Sequence, residues 1–552
     1  MNCRRRDFIR GGVAALAMPS VSGFCGEERC GVPVLDYWCT WGIQNAISRI
    51  GAAERPGVSF AGDQGALQAR NNMTEELLFG SKGWALTMFP KSRENLYMMI
   101  DDGWDVPFGT NPAKSMRPFA ALVPFADRFP GLGAKGEERL ANLNAKLKDC
   151  GWRGAGLWVA CQGFGEGDGL YFDAEKSKSD WRRRMEISRK AGIRYWKIDW
   201  GCRDGNLDYR RMIQEVKESV YPGLIIENKP LTNCAPFNGL SFSKEGGCEG
   251  SGRVFGKEDF ARNDWSNTEI GKLCLFSDVV RIYDMLQPID VATTFDRVAY
   301  YGLAIEKAGA RTILNVEGSV IVGAVLGHAF GIMRAPGVEG DLSGSASDVS
   351  HLCERIAEVD RAVAWRRLAP VVGGMKGYQI RFSQKTLTDV WRYQKNEGWL
   401  ASAWGRDVFQ TAPSVLSRGT ALPEVKSIGA EAPFVAAMKH PNGALSVGAF
   451  PRVAGGRWWT PHADIALDEH IPQEEPLGVF GEMASLMLKG RLDGRRVYAS
   501  DLAGGGRHDI TASVMQSDGH IVISGKLLAE IGREADPQDR YSAPGTLVRF
   551  GS

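Results

Sequence analysis

Short apolar segments alternate with helical segments through the first two thirds of the chain, and each apolar segment ends in polar, glycine or tryptophan residues. Runs of this length that are rich in aromatic and branched residues are typical of buried strands. Eight such strands are predicted, over 34–38, 96–100, 156–160, 194–201, 224–226, 279–283, 312–316 and 329–333. Eight strands that alternate with helices over roughly 340 residues predict an α/β fold, a (β/α)8 TIM barrel.

The helical segments carry apolar residues three or four positions apart, as one buried face of a helix requires. They are predicted over 137–149, 180–190, 295–308 and 347–367. Gly151 and Gly192 follow the first two, and glycine commonly ends a helix. An open doubly wound sheet is the second interpretation. Polar clusters follow many strands rather than one switch point, which favours the barrel.

The pattern of apolar and polar residues along the chain changes after Pro370. Short segments of alternating apolar and polar residues follow, separated by glycine, proline and asparagine, for example 444–450 and 520–524. This pattern predicts an all-β sandwich. The predicted domains are therefore an export signal and linker (1–30), a catalytic barrel (31–370) and a β-sandwich (371–552).

The N-terminus carries an arginine cluster, Arg4, Arg5 and Arg6, followed by Phe8, Ile9 and a modest apolar run. This resembles a twin-arginine export signal and predicts a periplasmic or secreted protein. The run is shorter than the ~20 apolar residues that span a bilayer. A basic N-terminal helix is the alternative interpretation.

The composition of this 552-residue chain limits the kinds of partner that it is expected to bind. A net charge of +2 gives no electrostatic case for nucleic acid. The eleven cysteines include no C-x-x-C pair, and their spacing with histidine is not that of a zinc site. Acidic strand ends could ligate a divalent ion in a barrel lyase or isomerase, but none of the seven histidines follows a predicted strand end. No metal and no cofactor are predicted.

Charged residues end the second and fourth predicted strands. Lys197 and Asp199 lie two residues apart, so in a strand both project from one face. A buried ion pair is the simpler interpretation of that spacing. Asp101 and Asp102 end the second strand, where an Asp pair before glycine is most often a turn, but where two carboxylates can also accept several sugar hydroxyls.

The fifth and sixth strands add further candidates. Glu227 ends the fifth strand, and Arg281 and Asp284 lie at the end of the sixth. Asp278 comes just before that strand. Catalytic groups of TIM barrels come from the ends of several different strands, so these clusters predict one shared site.

Several of these segments resemble those of one enzyme group, the α-galactosidase (melibiase) clan of glycoside hydrolases, families 27 and 36. The resemblance covers roughly residues 31–370, and the order of its motifs is more specific than any one motif. The matching segments are Met-Met-Ile-Asp-Asp-Gly-Trp over 98–104, Tyr195 to Asp199, Trp-Cys-Thr-Trp over 38–41, Arg281 with Asp284, and Phe-Pro-Gly-Leu over 129–132.

The resemblance implies a retaining α-glycosidase that works by double displacement. Asp199 would be the nucleophile and Asp284 the acid/base, with the two carboxyl groups ~5–5.5 Å apart. Asp278 is the second candidate for the acid/base, because Phe276-Ser277-Asp278 also resembles the acid element of that clan.

The same resemblance implies a set of sugar-binding residues. Asp101 and Asp102 would bind the 4- and 6-hydroxyls, and Lys197 the 3- and 4-hydroxyls. Arg281, together with Glu227, would bind the 2-hydroxyl. Trp41 and Trp104 would form walls of the pocket, although an isolated tryptophan is more often part of the core.

Two departures from the clan leave the sugar open. Glu227-Asn228-Lys229 stands where classical members have a C-x-W loop, and Gly103 replaces a frequent cysteine. The substrate is expected to be a carbohydrate: an α-galactoside, a substituted galactoside, an α-glucoside or a β-L-arabinopyranoside. A transglycosylase of the same clan and a barrel that binds carbohydrate without cleaving it are the alternatives.

Overall fold

The fold is taken from a computed structural model. It describes residues 35–53, 62–110, 121–162, 173–230, 240–242, 248–250, 269–282, 287–335, 355–393, 405, 407–539 and 541–551. The N-terminal arginine cluster and the apolar run behind it lie outside these residues, so the export signal stays a prediction. Asp284 also lies outside them.

Eight parallel strands form the first sheet. They are β1 (Tyr37–Cys39), β2 (Tyr97–Ile100), β3 (Ala155–Val159), β4 (Tyr195–Ile198), β5 (Ile225–Asn228), β6 (Val279–Arg281), β7 (Ile313–Asn315) and β8 (Gly331–Ile332). From β1 to β7 each strand pairs with the next, and β8 pairs with β1. A parallel bridge between Asn315 and Ala329 joins β7 to the residues before β8 and closes the ring. The predicted barrel is confirmed.

Helices surround the strands in the predicted alternation. They are α1 (Thr40–Ala53), α2 (Gly62–Asn71), α3 (Glu75–Phe79), α4 (Trp84–Thr87), α5 (Gly136–Asp149), α6 (Ala174–Lys190), α7 (Leu207–Val220), α8 (Glu269–Phe276), α9 (Asp290–Ala308), α10 (Val320–Leu326) and α11 (Ala357–Leu368). Single 3-10 turns cover Arg93–Asn95, Pro130–Leu132 and Gln287–Ile289.

Local chemistry determines where the helix before β4 begins and ends. The Asp173 side chain accepts a hydrogen bond from Lys176 N at the start of α6. At its other end Gly192 has a φ of +71°, and Ile193 N donates to Ser188 O at 2.9 Å. This left-handed glycine turns the chain directly into β4, which carries Lys197.

The remainder of the chain is mostly β-structure. One sheet contains Ile380–Phe382, Val415–Arg418, Phe434–Lys439, Leu445–Phe450, Leu477–Phe480, Arg496–Asp501, His508–Asp509 and Gly545–Gly551. A second contains Glu424–Ser427, Ala463–His470, Ser485–Lys489, Met515–Ser517 and His520–Ser524. Apolar residues of both sheets form one buried cluster, as in a β-sandwich. The helix α12 (Gly525–Ile531), a 3-10 turn (Thr511–Ser513) and a hairpin (Arg452–Ala454 with Arg457–Trp459) complete this part.

A small sheet links the two parts of the chain. Leu240–Phe242 and Cys248–Gly250, which follow β5, join Thr386–Arg392 and Asp407–Pro413. Phe295 of α9 also packs against Phe434, with ring centroids 5.0 Å apart. No helix in the described ranges has the length and apolar character needed to cross a bilayer. The domain boundary at 370 stays a prediction.

Candidate active site

The carboxyl ends of the barrel strands carry a buried cluster of charged residues. Alternate residues of a strand point to the same face, so Lys197 and Asp199 project together from the end of β4. Asp101 directly follows β2, Arg281 ends β6, and Glu317 follows β7. All five are buried. Four different strands therefore bring their charged ends to one place, as in the sites of barrel enzymes.

Lys197 is the centre of one half of this cluster. Its Nζ lies 2.9 Å from Asp101 Oδ2 and 3.1 Å from Glu317 Oε1. Its third neighbour is Cys39 Sγ at 3.4 Å, and that thiol donates to Asp101 Oδ2 at 3.0 Å. Lys197 is therefore ionised and held in one orientation, although it lies at the end of a strand that is otherwise apolar and aromatic.

Arg281 is the centre of the other half. Its Nη1 donates to Glu317 Oε2 at 3.0 Å, and its Nη2 lies 3.2 Å from Asp199 Oδ1. Its Nε lies 3.5 Å from Glu227 Oε1. Glu317 thus bridges the two cations. Burial raises the pKa of Glu317, but Arg281 and Lys197 outweigh that effect and hold the pKa below its usual value.

Asp199 has the electrostatic setting of an ionised carboxylate. Trp158 Nε1 donates to its Oδ2 at 3.0 Å. Burial raises its pKa, but the positive charges of Arg281, Lys229 and Lys197 together bring the pKa below the ordinary value. Its Oδ1 accepts no hydrogen bond within the described part of the chain. Trp158 orients Oδ2, while Oδ1 lies 3.2 Å from Arg281 Nη2, so the carboxylate is held ionised and in one orientation, as a nucleophile requires.

Asp102 is held by an arginine that the sequence did not single out. Arg70, near the end of α2, reaches Asp102 Oδ2 with Nε at 2.7 Å and Nη2 at 2.6 Å. Burial raises the pKa of Asp102 to about 6 in spite of this pairing. Its Oδ1 has no hydrogen-bond partner among the described residues, so one oxygen remains to accept a hydroxyl.

Glu227 has a different role from the one predicted. It is fully buried, and it accepts hydrogen bonds from Tyr37 at 3.0 Å, Tyr195 at 2.7 Å and Asn315 at 2.7 Å. Burial raises its pKa, and the neighbouring Arg281 only partly opposes this. Its acceptors are engaged below the mouth of the barrel, so Glu227 supports Arg281 rather than presenting an oxygen to a ligand.

The two tryptophans predicted as pocket walls differ in placement. Trp104 is fully buried, and its Nε1 donates to Trp158 O at 3.0 Å. It presents no surface to a ligand and supports Trp158 from behind, so its prediction as a wall is corrected. Trp41 is half-buried and packs against the inward-facing residues of the barrel at the start of α1.

Asp278 lies at the opposite end of the barrel from this cluster. It precedes β6, its Oδ2 accepts from Ile226 N at 2.9 Å, and its Oδ1 lies 3.2 Å from Lys217 Nζ. Ile226 is near the amino end of β5, so this carboxylate pairs with backbone and helix residues at the amino-terminal end. The prediction of Asp278 as an alternative acid/base is wrong. Asp284 remains the predicted acid/base, outside the described residues.

Four residues of the charged cluster were not predicted from the sequence as site residues. Glu317 lies two residues after β7, and an acidic residue shortly after a strand was the available signal. Cys39 and Trp158 have no sequence feature that would distinguish them as site residues from other residues of the predicted strands. Arg70 lies on α2, more than thirty residues before Asp102 in the sequence, and only the tertiary structure brings the two together.

A metal site is not formed by the residues that the structure describes: no three His, Cys, Asp or Glu side chains among them are arranged to hold an ion. Each carboxylate of the cluster lies instead against Lys197, Arg281 or Arg70. Such an arrangement orients hydroxyl groups and stabilises charge.

Comparison with known proteins gives only distant likeness. No family model and no curated protein matches the sequence. A β-L-arabinopyranosidase of family GH27 from Geobacillus stearothermophilus is 10% identical, with a TM-score of 0.38, over 87% of this chain and 93% of that one. An α-galactosidase from Saccharomyces cerevisiae, solved with raffinose, is 8% identical, with a TM-score of 0.34, over 94% and 97%. Because both TM-scores are below 0.5, the functional proposal rests on the site itself.

Proposed function

We propose that the protein is a retaining glycoside hydrolase that removes a terminal α-galactoside or a related α-glycoside. The observation that carries the proposal is Asp199. It ends β4 at the mouth of the barrel, its pKa is held low by three cations, and one of its oxygens is oriented by Trp158. Attack on an anomeric carbon requires a carboxylate that stays ionised.

The neighbours of Asp199 suit a sugar ring. Lys197 and Arg281 are donors held in fixed orientations, while Asp101 and Asp102 are acceptors. Sugar hydroxyls both donate and accept, so a site of this mixture can orient them. The inner cluster also has more acidic groups (Asp101, Asp199, Glu227, Glu317) than basic ones (Lys197, Arg281), which favours the positive charge of an oxocarbenium-like transition state.

The acid/base step is assigned to Asp284, as the motif resemblance implies. In the first step Asp199 attacks the anomeric carbon while the acid protonates the departing oxygen. In the second step the same group takes a proton from the attacking water, and the sugar leaves with its original anomeric configuration.

The first experiment is a panel of aryl glycosides, in both anomers of several sugars, followed by Asp199→Asn on the best substrate. We expect kcat to fall by about 10⁴-fold, because the amide cannot form the glycosyl-enzyme. Asp278→Asn is the matched control: the same change at the amino-terminal end should alter kcat/KM by less than about threefold. An Asp199→Asn variant that keeps a tenth of the activity would overturn the nucleophile assignment.

The second experiment separates the acid/base from its alternatives. Asp284→Gly should lose activity chiefly on substrates with poor leaving groups, and azide should restore the rate. Retention is read directly from the anomer released at early times by NMR. If no glycoside in the panel is turned over while sugars still bind, the non-catalytic binding barrel is the correct description.

A further inference from the structure

A cavity of about 780 Å³ lies between the barrel and the β-structure. Its barrel wall includes Asp290 at the start of α9, Ser319 after β7 and Arg334 after β8. Its other wall includes Trp458, Trp459 and Tyr541. None of the residues of the candidate active site lines it. A volume of this size accommodates a ligand of two or three sugar rings.

The cavity is nevertheless close to the active site along the chain. Ser319 lies only two residues after Glu317, so their Cα atoms are at most ~7.6 Å apart. Trp38 Nε1, from β1, donates to Arg334 O at 2.8 Å and ties the β8 side of the wall to the barrel. The cavity wall that contains Ser319 and Arg334 therefore lies near the carboxyl-end rim of the barrel.

Two tryptophans are presented to this cavity by a short hairpin. Strands Arg452–Ala454 and Arg457–Trp459 are joined by Gly455 and Gly456, whose φ values of +57° and +75° allow a two-residue turn. Both tryptophans are half-buried, so each keeps some exposed surface. Arg457 lies over the Trp459 ring at 4.7 Å, and Arg355 lies 5.7 Å from the centroid of Trp458. Flat aromatic faces of this kind suit the C–H face of a sugar ring.

The charges of the cavity indicate an uncharged ligand. Four arginines in the lining (Arg334, Arg355, Arg457, Arg533) are matched by four acids (Asp290, Glu358, Glu431, Glu482). Arg334 and Arg533 are paired with Glu358 and Glu482, and Arg355 lies 3.7 Å from Asp290. A phosphate or sulfate group would compete with these carboxylates, while a purely apolar ligand would leave the polar wall unsatisfied.

We propose that this cavity is a second binding site for a neutral glycan chain, separate from the pocket that cleaves the terminal sugar. The choice of carbohydrate rests on the proposed function, whereas the neutral, aromatic character of the site rests on its own residues. The site would hold the polymer by two or three sugars while a chain end enters the barrel.

The test measures binding of two neutral polysaccharides, guar galactomannan and larch arabinogalactan, to the full chain carrying Asp199→Asn. We expect Trp458→Ala with Trp459→Ala to weaken binding at least tenfold in affinity electrophoresis, because two stacking faces are lost. Tyr498→Ala is the matched control: Tyr498 is also half-buried and stacked by Arg507, at 3.5 Å, but lies outside the cavity. It should change the affinity less than twofold.

A second measurement separates this inference from the proposed hydrolysis. With Asp199 intact, the tryptophan variants should cleave an aryl monoglycoside with kcat/KM within twofold of the parent, since that substrate fills only the barrel pocket. If the tryptophan variants lose polymer binding and the parent hydrolyses no glycoside, the second site is retained and the proposed function is overturned. If the double variant does not fold, the single variant Trp459→Ala replaces it in both measurements.

The inference is overturned by any of three results. These are binding of neither polysaccharide by the parent, binding by the tryptophan variants as tight as that of the parent, and a fall in the monoglycoside rate in parallel with polymer binding.

Discussion

The mouth of the barrel and the interior of the β-sandwich are both buried, but they are filled by opposite kinds of residue. The sandwich interior contains side chains such as Val447, Leu486 and Ile521, which are entirely shielded from solvent. The barrel mouth contains Lys197 and Arg281 at a similar depth. The first region gains stability from removing apolar surface from water, whereas the second has to offset the desolvation of its charges.

This contrast indicates what the charged cluster is for. Buried ion pairs are often no more stabilising than apolar residues of the same volume, so a polar layer inside a barrel is weak evidence for stability. Here Lys197 and Arg281 each contact at least two carboxylates, and Asp199 and Asp102 each keep one oxygen without a hydrogen-bond partner among the described residues. Groups kept ready for a ligand explain that pattern better than packing does.

Among the changes that test this contrast between the two regions, the largest effect is expected from Glu317→Gln. The change removes the negative charge shared by Lys197 and Arg281, and it should lower the free energy of unfolding by about 3–5 kcal/mol. It should also lower kcat/KM by about 100-fold, because both cations lose the group that orients them. Denaturant unfolding and aryl glycoside kinetics measure the two quantities.

The control for this prediction is a buried pair far from the site. Arg361 donates to both oxygens of Asp501 at 3.0 Å, and both side chains are fully buried. Asp501→Asn should cost similar stability while the folded fraction keeps its kcat/KM. If Glu317→Gln also loses only stability, the bridge has a structural role and no part in catalysis.

A change in the sandwich interior should separate stability from activity. Leu486→Ala removes a fully buried side chain from Ser485–Lys489, and it should lower the free energy of unfolding by about 2–5 kcal/mol through lost burial and a residual cavity. Below the melting temperature, kcat/KM should stay within about twofold of the parent. A large drop in kcat/KM would mean that the two regions are coupled.

An effect on stability that depends on pH is expected at Asp296 on α9. Burial raises the pKa of this carboxyl to about 8, while Arg297 and a hydrogen bond with Gln410 act in the opposite direction. The folded state therefore binds a proton that the unfolded state has lost, and the stability of the parent falls as pH rises between about 4 and 8.

Asp296→Asn removes that titration. The variant should gain stability over the parent by up to about 1.4 kcal/mol per pH unit within this window, and the difference should level off above it. Thermal melts at pH 5, 7 and 9 measure this trend. A difference between variant and parent that does not change with pH would show that Asp296 is ionised in the folded protein.

Periodicity and strand-end residues were sufficient to predict much of this molecule. All eight strands, the glycine that closes α6 and the convergence of Lys197, Asp199, Asp101 and Arg281 follow from local rules. Local rules succeed here because side-chain alternation and helix capping depend on residues only a few positions apart.

Other features depend on contacts between distant parts of the chain, and only the tertiary structure decided them. A strand pattern does not show that Asp278 lies at the amino-terminal end, paired with Lys217, or that Trp104 lies behind Trp158. It does not place Arg70 on Asp102, or Glu317 between Lys197 and Arg281. Sequence determined which groups can be charged and which strand each one ends. Packing decided which of those groups meet, and therefore which pKa values fall.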